Sequence, residues 1–269
     1  LIWFIFTATA VYRVCHLRFY LFFWLIIWSV SALSQDERPS AEPTMPIRIA
    51  AEDNWPPFSD SQGQGLSELL VKAAFATQGY QITTVVVPYA RALHSTRQGT
   101  TDACWNVTRQ HNTEQEFTLH KIPLFTADSS FYYYRTPQPY DSAAQIPNGT
   151  VVGVILGYEY GDLYEQHKHR FQLVQVSTHS QLIGLLNGGK LDLAIFFDDV
   201  LDYYLQKEGM KAQHIQRGKL NYRSEIYLAF SKENPQSSKR AAALDAGITE
   251  LKKSGVYQQL LQRIRSGSP

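Results

Sequence analysis

VVGVILGYEYGDLYEQHKHRFQLVQVSTHSQLIGLLNGGKLDLAIF, residues 151–196, decides the fold by its alternation. Residues 151–155 form a short apolar run and read as a strand, followed by a predicted helix over 158–169. A second strand is predicted at 172–176 and a helix at 179–187, stopped by Gly188-Gly189; a third strand follows at 191–196. Strand and helix in regular alternation predict the α/β class, with largely parallel strands joined by helical crossovers.

The same alternation extends in both directions. Upstream, 47–51 is a short apolar strand, broken by Trp55-Pro56-Pro57 and turned by Gly63-Gln64-Gly65. Leu66, Leu69, Leu70, Ala73 and Ala74 then recur at helical spacing until Gly79. A β-branched strand is predicted at 82–87, a helix at 89–98 closed by Gly99, and strands at 103–107 and 130–135. Downstream, a helix is predicted at 199–207, a strand at 225–231, and helices at 236–253 and 256–265. Thr136-Pro137-Gln138-Pro139 and residues 221–224 are the candidate crossovers between two lobes, which would leave a hinged cleft.

Composition excludes several function classes. Of 269 residues, 44% are hydrophobic and 18% charged, a globular balance. Lys and Arg number 25 against 24 Asp and Glu, so no basic excess marks a nucleic-acid partner. Cys15 and Cys104 are the only cysteines, which rules out a disulfide framework and a cysteine zinc site. His167 and His169 are two apart on a predicted helix and point away from each other, so no metal is expected. The sequence contains no nucleophile-elbow, zincin, Walker or Rossmann motif, and no cofactor is expected.

Residues 1–34 contain no acid and no lysine. Arg13 and Arg18 precede an apolar run over 19–30, and Ala32-Leu33-Ser34 places small residues ahead of Gln35. Basic, apolar, then small-x-small predicts a signal peptide cleaved after Ser34. The run is shorter than the roughly 20 apolar residues a spanning helix needs, so no membrane insertion is expected after cleavage. Loss of two arginines leaves 23 basic residues against 24 acidic. Residues 35–45 read as a flexible leader.

The ordered motifs IRIAAEDNWPPFSDSQGQGLSELL, PYARALHSTRQGTTDA, KIPLFTADSSFYYYR, VVGVILGYEYGDLYE, LLNGGKLDLAIF, IYLAFSKENP and ELKKSGVYQQLL resemble the family 3 extracellular solute-binding proteins across residues 47–265. The resemblance implies a type II periplasmic binding protein fold: two α/β lobes joined by two hinge crossovers, with a ligand cleft between them. Lobe 1 would be residues 46–136 and 223–269, and lobe 2 residues 137–222. It implies a monomeric periplasmic protein without enzymatic activity. Such a protein captures a small polar molecule, amino-acid-like or a small carboxylate, by lobe closure, and its partners are the membrane subunits of an ABC importer.

The resemblance also places candidate ligand-binding residues. Glu52 falls where an acid follows the first strand, and Trp55 at the aromatic wall of the cleft; simple packing beside Pro56 is its other reading. The position that supplies an arginine to an amino-acid carboxylate holds Glu114 here. Arg109, five residues earlier, either clamps a carboxylate or is an exposed loop arginine. The position offering an aspartate to the α-ammonium holds Phe197, with Asp198 next to it. Tyr158 faces either the cleft or the surface. With both ends of the clamp altered, ordinary L-amino acids are expected to bind weakly.

Two other readings share this fold. A secreted enzyme resembling cyclohexadienyl dehydratases would use Glu52 and Glu114 in acid–base chemistry. A ligand-sensing module would signal to a membrane partner, a reading the lack of a fused module after Pro269 makes less favoured.

Overall fold

The structure, a computed structural model, describes residues 45–206 and 209–265. The predicted signal peptide, and all but the last residue of the leader, lie outside the described residues.

Among the described residues nine strands form one sheet: β1 (Ile47–Glu52), β2 (Ile82–Val87), β3 (Ala103–Thr108), β4 (Phe117–Leu119), β5 (Phe125–Tyr134), β6 (Val151–Ile155), β7 (Gln172–Val176), β8 (Leu193–Phe197) and β9 (Ile215–Ser231). Their order is β2-β1-β3-β9-β5-β8-β6-β7, with β4 on β9. β1 runs parallel to β2 and β3, and β6 runs parallel to β7 and β8. The sheet therefore has two parallel groups.

Two long antiparallel strands join these groups. β9 pairs with β3 near its end, between Ile226 and Phe230, and with β5 between Ile215 and Ile226. β5 in turn pairs with β8 through residues 129–133. The ribbon is irregular between Ser129 and Tyr132. Residues 221–224, expected as a connection ahead of a strand, lie inside β9. Their polar character reflects a half-exposed ribbon rather than a loop.

The helices cover the two groups: α1 (Leu66–Thr77), α2 (Tyr89–Arg97), α3 (His111–Glu116), α4 (Asp162–His167), α5 (His179–Asn187), α6 (Asp198–Gln206), α7 (Ser237–Ser254) and α8 (Val256–Arg265). α1 buries Leu66, Leu70, Val71, Ala74 and Phe75, a helical stripe against the sheet. α7 crosses it so closely that a Cβ on Gly247 would sit 2.1 Å from the Ala74 carbonyl oxygen. Gly255, at φ 80, caps α7 in the left-handed conformation and separates it from α8. The core strands β3 and β8 are buried at every residue, as parallel strands covered on both faces should be. No described helix is long and apolar enough to cross a membrane.

One predicted helix begins later than its sequence suggests. Residues 156–157 form a turn and 158–161 follow without regular structure; α4 starts at Asp162, after Gly161 at φ 94. This segment points Tyr158, Glu159 and Tyr160 inward, and all three are buried.

Candidate functional site

Glu52 ends β1, at the carboxyl edge of the parallel strands, where α/β sheets present their ligand sites. It is 1% exposed. Asn106, on the neighbouring β3, donates from Nδ2 to Glu52 Oε2 at 2.9 Å and accepts from Ser67 Oγ at 2.5 Å. Asn106 holds φ 68, a left-handed conformation that asparagine tolerates better than most residues. The Tyr158 hydroxyl, from the turn after β6, bonds Glu52 Oε1 and lies 3.3 Å from the Asn54 carbonyl.

A second buried acid lies one residue further on. Glu159 is 6% exposed and accepts from the Tyr89 hydroxyl at 2.7 Å. A backbone hydrogen bond from Thr108 reaches the same carboxyl. Burial pushes both acids up to about 8, only partly opposed by these hydrogen bonds. Glu159 and Asp53 raise Glu52 a little further. At neutral pH each carboxyl is therefore largely protonated.

These contacts link the β1–β3 group to the β6–β8 group. Others do the same: Tyr204 donates to Asn54 Oδ1 at 2.6 Å, and the Gly161 amide donates to Gln110 Oε1 at 3.1 Å. The His111 amide donates to Asp162 Oδ1 at 3.0 Å. Aromatic rings complete the junction. Trp55 is buried against Phe58 at 4.5 Å and meets Phe197 edge-on at 4.9 Å. Tyr158 packs edge-on against Tyr89 at 5.2 Å.

Two cavities border Tyr158. One, of about 250 Å³, has Arg97, Asn112, Glu116, Tyr158, Glu159 and Lys168 among its lining residues. The other, of about 50 Å³, touches Glu52, Asp53, Tyr89 and Tyr158. Among the described residues, no group of three His, Cys, Asp or Glu is placed to hold a metal ion.

Of the residues singled out from sequence, the structure brings Glu52, Trp55 and Tyr158 together. Arg109 and Glu114 lie elsewhere, paired with each other at 3.3 Å. The Arg109 guanidinium stacks 4.4 Å over Tyr227 and donates to the His120 carbonyl at 2.6 Å. Its buried Nε has no hydrogen-bond partner, and Glu114 is half-exposed on α3. Asp198 begins α6, where Tyr132 donates at 2.9 Å, Ser130 at 3.1 Å, and Arg217 pairs with it. Burial raises its pKa against those hydrogen bonds.

Sequence reasoning passed over Glu159, Asn106, Tyr89 and Asn54. An asparagine inside the buried run ACWNVT was the available signal for Asn106. Glu159 was hidden by the helix predicted across it.

Two α/β groups tied by two long crossover strands, with ligand-sized space at their junction, define a type II periplasmic binding protein fold. The sequence model of the bacterial extracellular solute-binding proteins, family 3, matches residues 47–265, and the chain belongs to that family. The fold is similar to that of a mutant of ArgBP from T. maritima, with TM-score 0.67 and 17% identity over 82% of this chain and 95% of that one. It is similar to the amino acid ABC transporter substrate-binding protein AbpA from Streptococcus pneumoniae bound to L-arginine, with TM-score 0.65 and 20% identity over 81% and 93%. It is also similar to the GluR0 ligand-binding core from Nostoc punctiforme in complex with L-glutamate, with TM-score 0.67 and 18% identity over 81% and 98%. No curated protein matches the sequence significantly.

Proposed function

We propose that the chain is a periplasmic solute-binding protein, exported by residues 1–34, that captures a small polar, amino-acid-like ligand by lobe closure. Its lobes divide near residues 136 and 222 and hinge on β5 and β9. Docking of the closed form on the membrane subunits of an ABC importer would complete its cycle. The observation that carries this reading is the set of buried bonds across the junction, Tyr158 to Glu52, Tyr89 to Glu159 and Tyr204 to Asn54. They can form only when the two groups are together, and opening would expose both acids. Similar folds bind amino acids, as the L-arginine complex of AbpA and the L-glutamate complex of GluR0 illustrate. Thermal-shift screening against amino acids, amines and small carboxylates tests the reading. A ligand at about 100 times its Kd adds about 2.7 kcal/mol; no shift with any of them counts against it.

A second reading, a dehydratase-like enzyme, has one observation in its favour. Burial holds Glu52 and Glu159 protonated near neutral pH, the state a general acid requires. Glu159 replaces the half-exposed Glu114 as the second candidate. Turnover of prephenate or arogenate by the purified protein, lost in Glu159→Gln, would establish that reading in place of the first.

A further inference from the structure

The bonds across the junction are crossed. The β1–β3 group contributes an acid, Glu52, and a tyrosine, Tyr89 on α2; the β6–β8 group contributes Tyr158 and Glu159, adjacent in the chain after β6. Tyr158 bonds Glu52 and Tyr89 bonds Glu159, so each group holds the other's acid. A backbone bond from Thr108, on β3, also crosses to Glu159. Beside these pairs, Asn54 engages the opposite group through both ends of its amide. Its Oδ1 accepts from Tyr204 at 2.6 Å and its Nδ2 donates to the Ser177 carbonyl at 3.4 Å. Every donor and acceptor in this set belongs to the chain itself.

Such pairs suit carboxyls that carry a proton. Once ionised, a buried carboxylate needs a cation or water. Among the described residues, no base forms an ion pair with Glu52 or Glu159. Arg97 and Lys168 border the cavity that Glu159 lines, and they pair with Glu116 and Glu165 instead. Arg91 acts on Asp53. The charges acting most on the two carboxyls are those of other acids, Glu159 and Asp53 on Glu52 and Glu165 on Glu159. The groups packed around them stay neutral. Burial pushes the His179 ring, which lies against Tyr158, down to about 3, and the Cys104 thiol on β3 up to about 12. The hydroxyls of Tyr89, Tyr158 and Tyr160 are pushed well above their usual range. Asp53, at the margin, is itself pushed up by burial. Separating the two groups would return Glu52 and Glu159 to water, where such acids ionise near 4.5 rather than about 8. Closure therefore takes up protons: it is fully favoured below about pH 4.5 and is lost as pH rises to about 8. With two acids the closed-to-open ratio falls up to about a hundredfold per pH unit in that window, and with one acid about tenfold.

We propose that the crossed acid–tyrosine pairs are a proton-operated latch, which closes the two groups on each other without ligand while both acids carry their protons and opens the cleft when the acids ionise. The latch rests on the hinge of the solute-binding reading and on no particular ligand. The test is pulsed electron paramagnetic resonance on the exported protein, freed of ligand by unfolding in guanidinium chloride and refolding. Nitroxides are attached at Lys72→Cys on α1 and Ser180→Cys on α5, both exposed positions; the buried Cys104 stays unlabelled. One distance should dominate at about pH 5, and a longer one should replace it by about pH 9. In Glu159→Gln the change should be shallower, about tenfold in the ratio per pH unit in place of about a hundredfold. The double variant Glu52→Gln with Glu159→Gln should stay closed at both pH values. Where the double variant fails to fold, the shallower response of each single variant carries the test. A wild-type distance that does not change with pH overturns the latch. So does a response that persists in the double variant, or one as steep in both single variants as in wild type. Solute capture is judged separately, by the thermal-shift screen. A ligand found there without opening at high pH refutes the latch alone, and opening without any ligand from the screen counts against solute capture alone.

Discussion

Replacing Glu52 by glutamine isolates the energetic effect of a buried acid. In the neutral acid, one oxygen accepts from Asn106 and the other can donate its proton to Tyr158, whose own hydroxyl lies 3.3 Å from the Asn54 carbonyl. Glutamine reproduces that pattern, with Oε1 toward Asn106 and Nε2 toward Tyr158. The variant therefore resembles the protonated wild type and cannot ionise. Burial raises Glu52 from 4.5 to about 8, so the folded chain binds the proton more tightly than the unfolded chain does. Its stabilising effect is complete below about pH 4.5 and is lost as pH rises toward about 8. Integrating that linkage gives a loss of about 2–3 kcal/mol between roughly pH 5 and pH 7. Urea unfolding of both proteins across this range should show wild type losing that much stability relative to Glu52→Gln. Parallel curves, within about 0.5 kcal/mol at every pH, would show that Glu52 titrates as a solvated acid and that the junction is not closed without ligand.

Other perturbations have separate readouts. Trp55→Ala should cost about 3–5 kcal/mol, measured by thermal unfolding, because the ring is buried against Phe58, Phe125 and Phe197. Gly247→Ala should lower stability by about 1–3 kcal/mol or more, since its Cβ would stand 2.1 Å from the Ala74 carbonyl oxygen; an unchanged melting temperature would mean α1 and α7 separate freely. Arg109→Ala should destabilise by about 1–3 kcal/mol through loss of the Tyr227 stack and the bond to the His120 carbonyl, visible as a shifted urea midpoint. N-terminal sequencing of exported protein should begin at Gln35, and a retained Arg18 would refute cleavage there.

The alternation of strand and helix was legible because buried parallel strands are apolar: residues 193–197 are so throughout, and residues 47–52 depart from it only at the exposed Arg48 and at Glu52. The end of α7 was legible too, because Gly255 offers a left-handed cap that other residues resist. α3 and β4 were not. HNTEQE has no apolar stripe, and its start is fixed by reciprocal bonds between Gln110 and Thr113 that leave no periodic trace. The helix predicted over 158–169 was drawn four residues too early, since the backbone is irregular from Tyr158 to Gly161. That misreading concealed Glu159, whose role depends on pointing inward from that segment. Arg109 and Glu114 were considered separately against a ligand; a short polar helix brings them together instead. Pairings that depend on loop geometry have no signature in linear spacing.

The path of β9 also has a temporal consequence. β3, complete at Thr108, finds its antiparallel partner only in residues near 226, after the whole β6–β8 group has been made. During synthesis the first group remains an unfinished sheet with an open edge until almost the last residues have emerged. Contacts between segments so distant in sequence form slowly. For the proposed export, a chain built in this order stays unfolded long enough to pass a channel that accepts unfolded polypeptide, and it can complete its sheet on the far side.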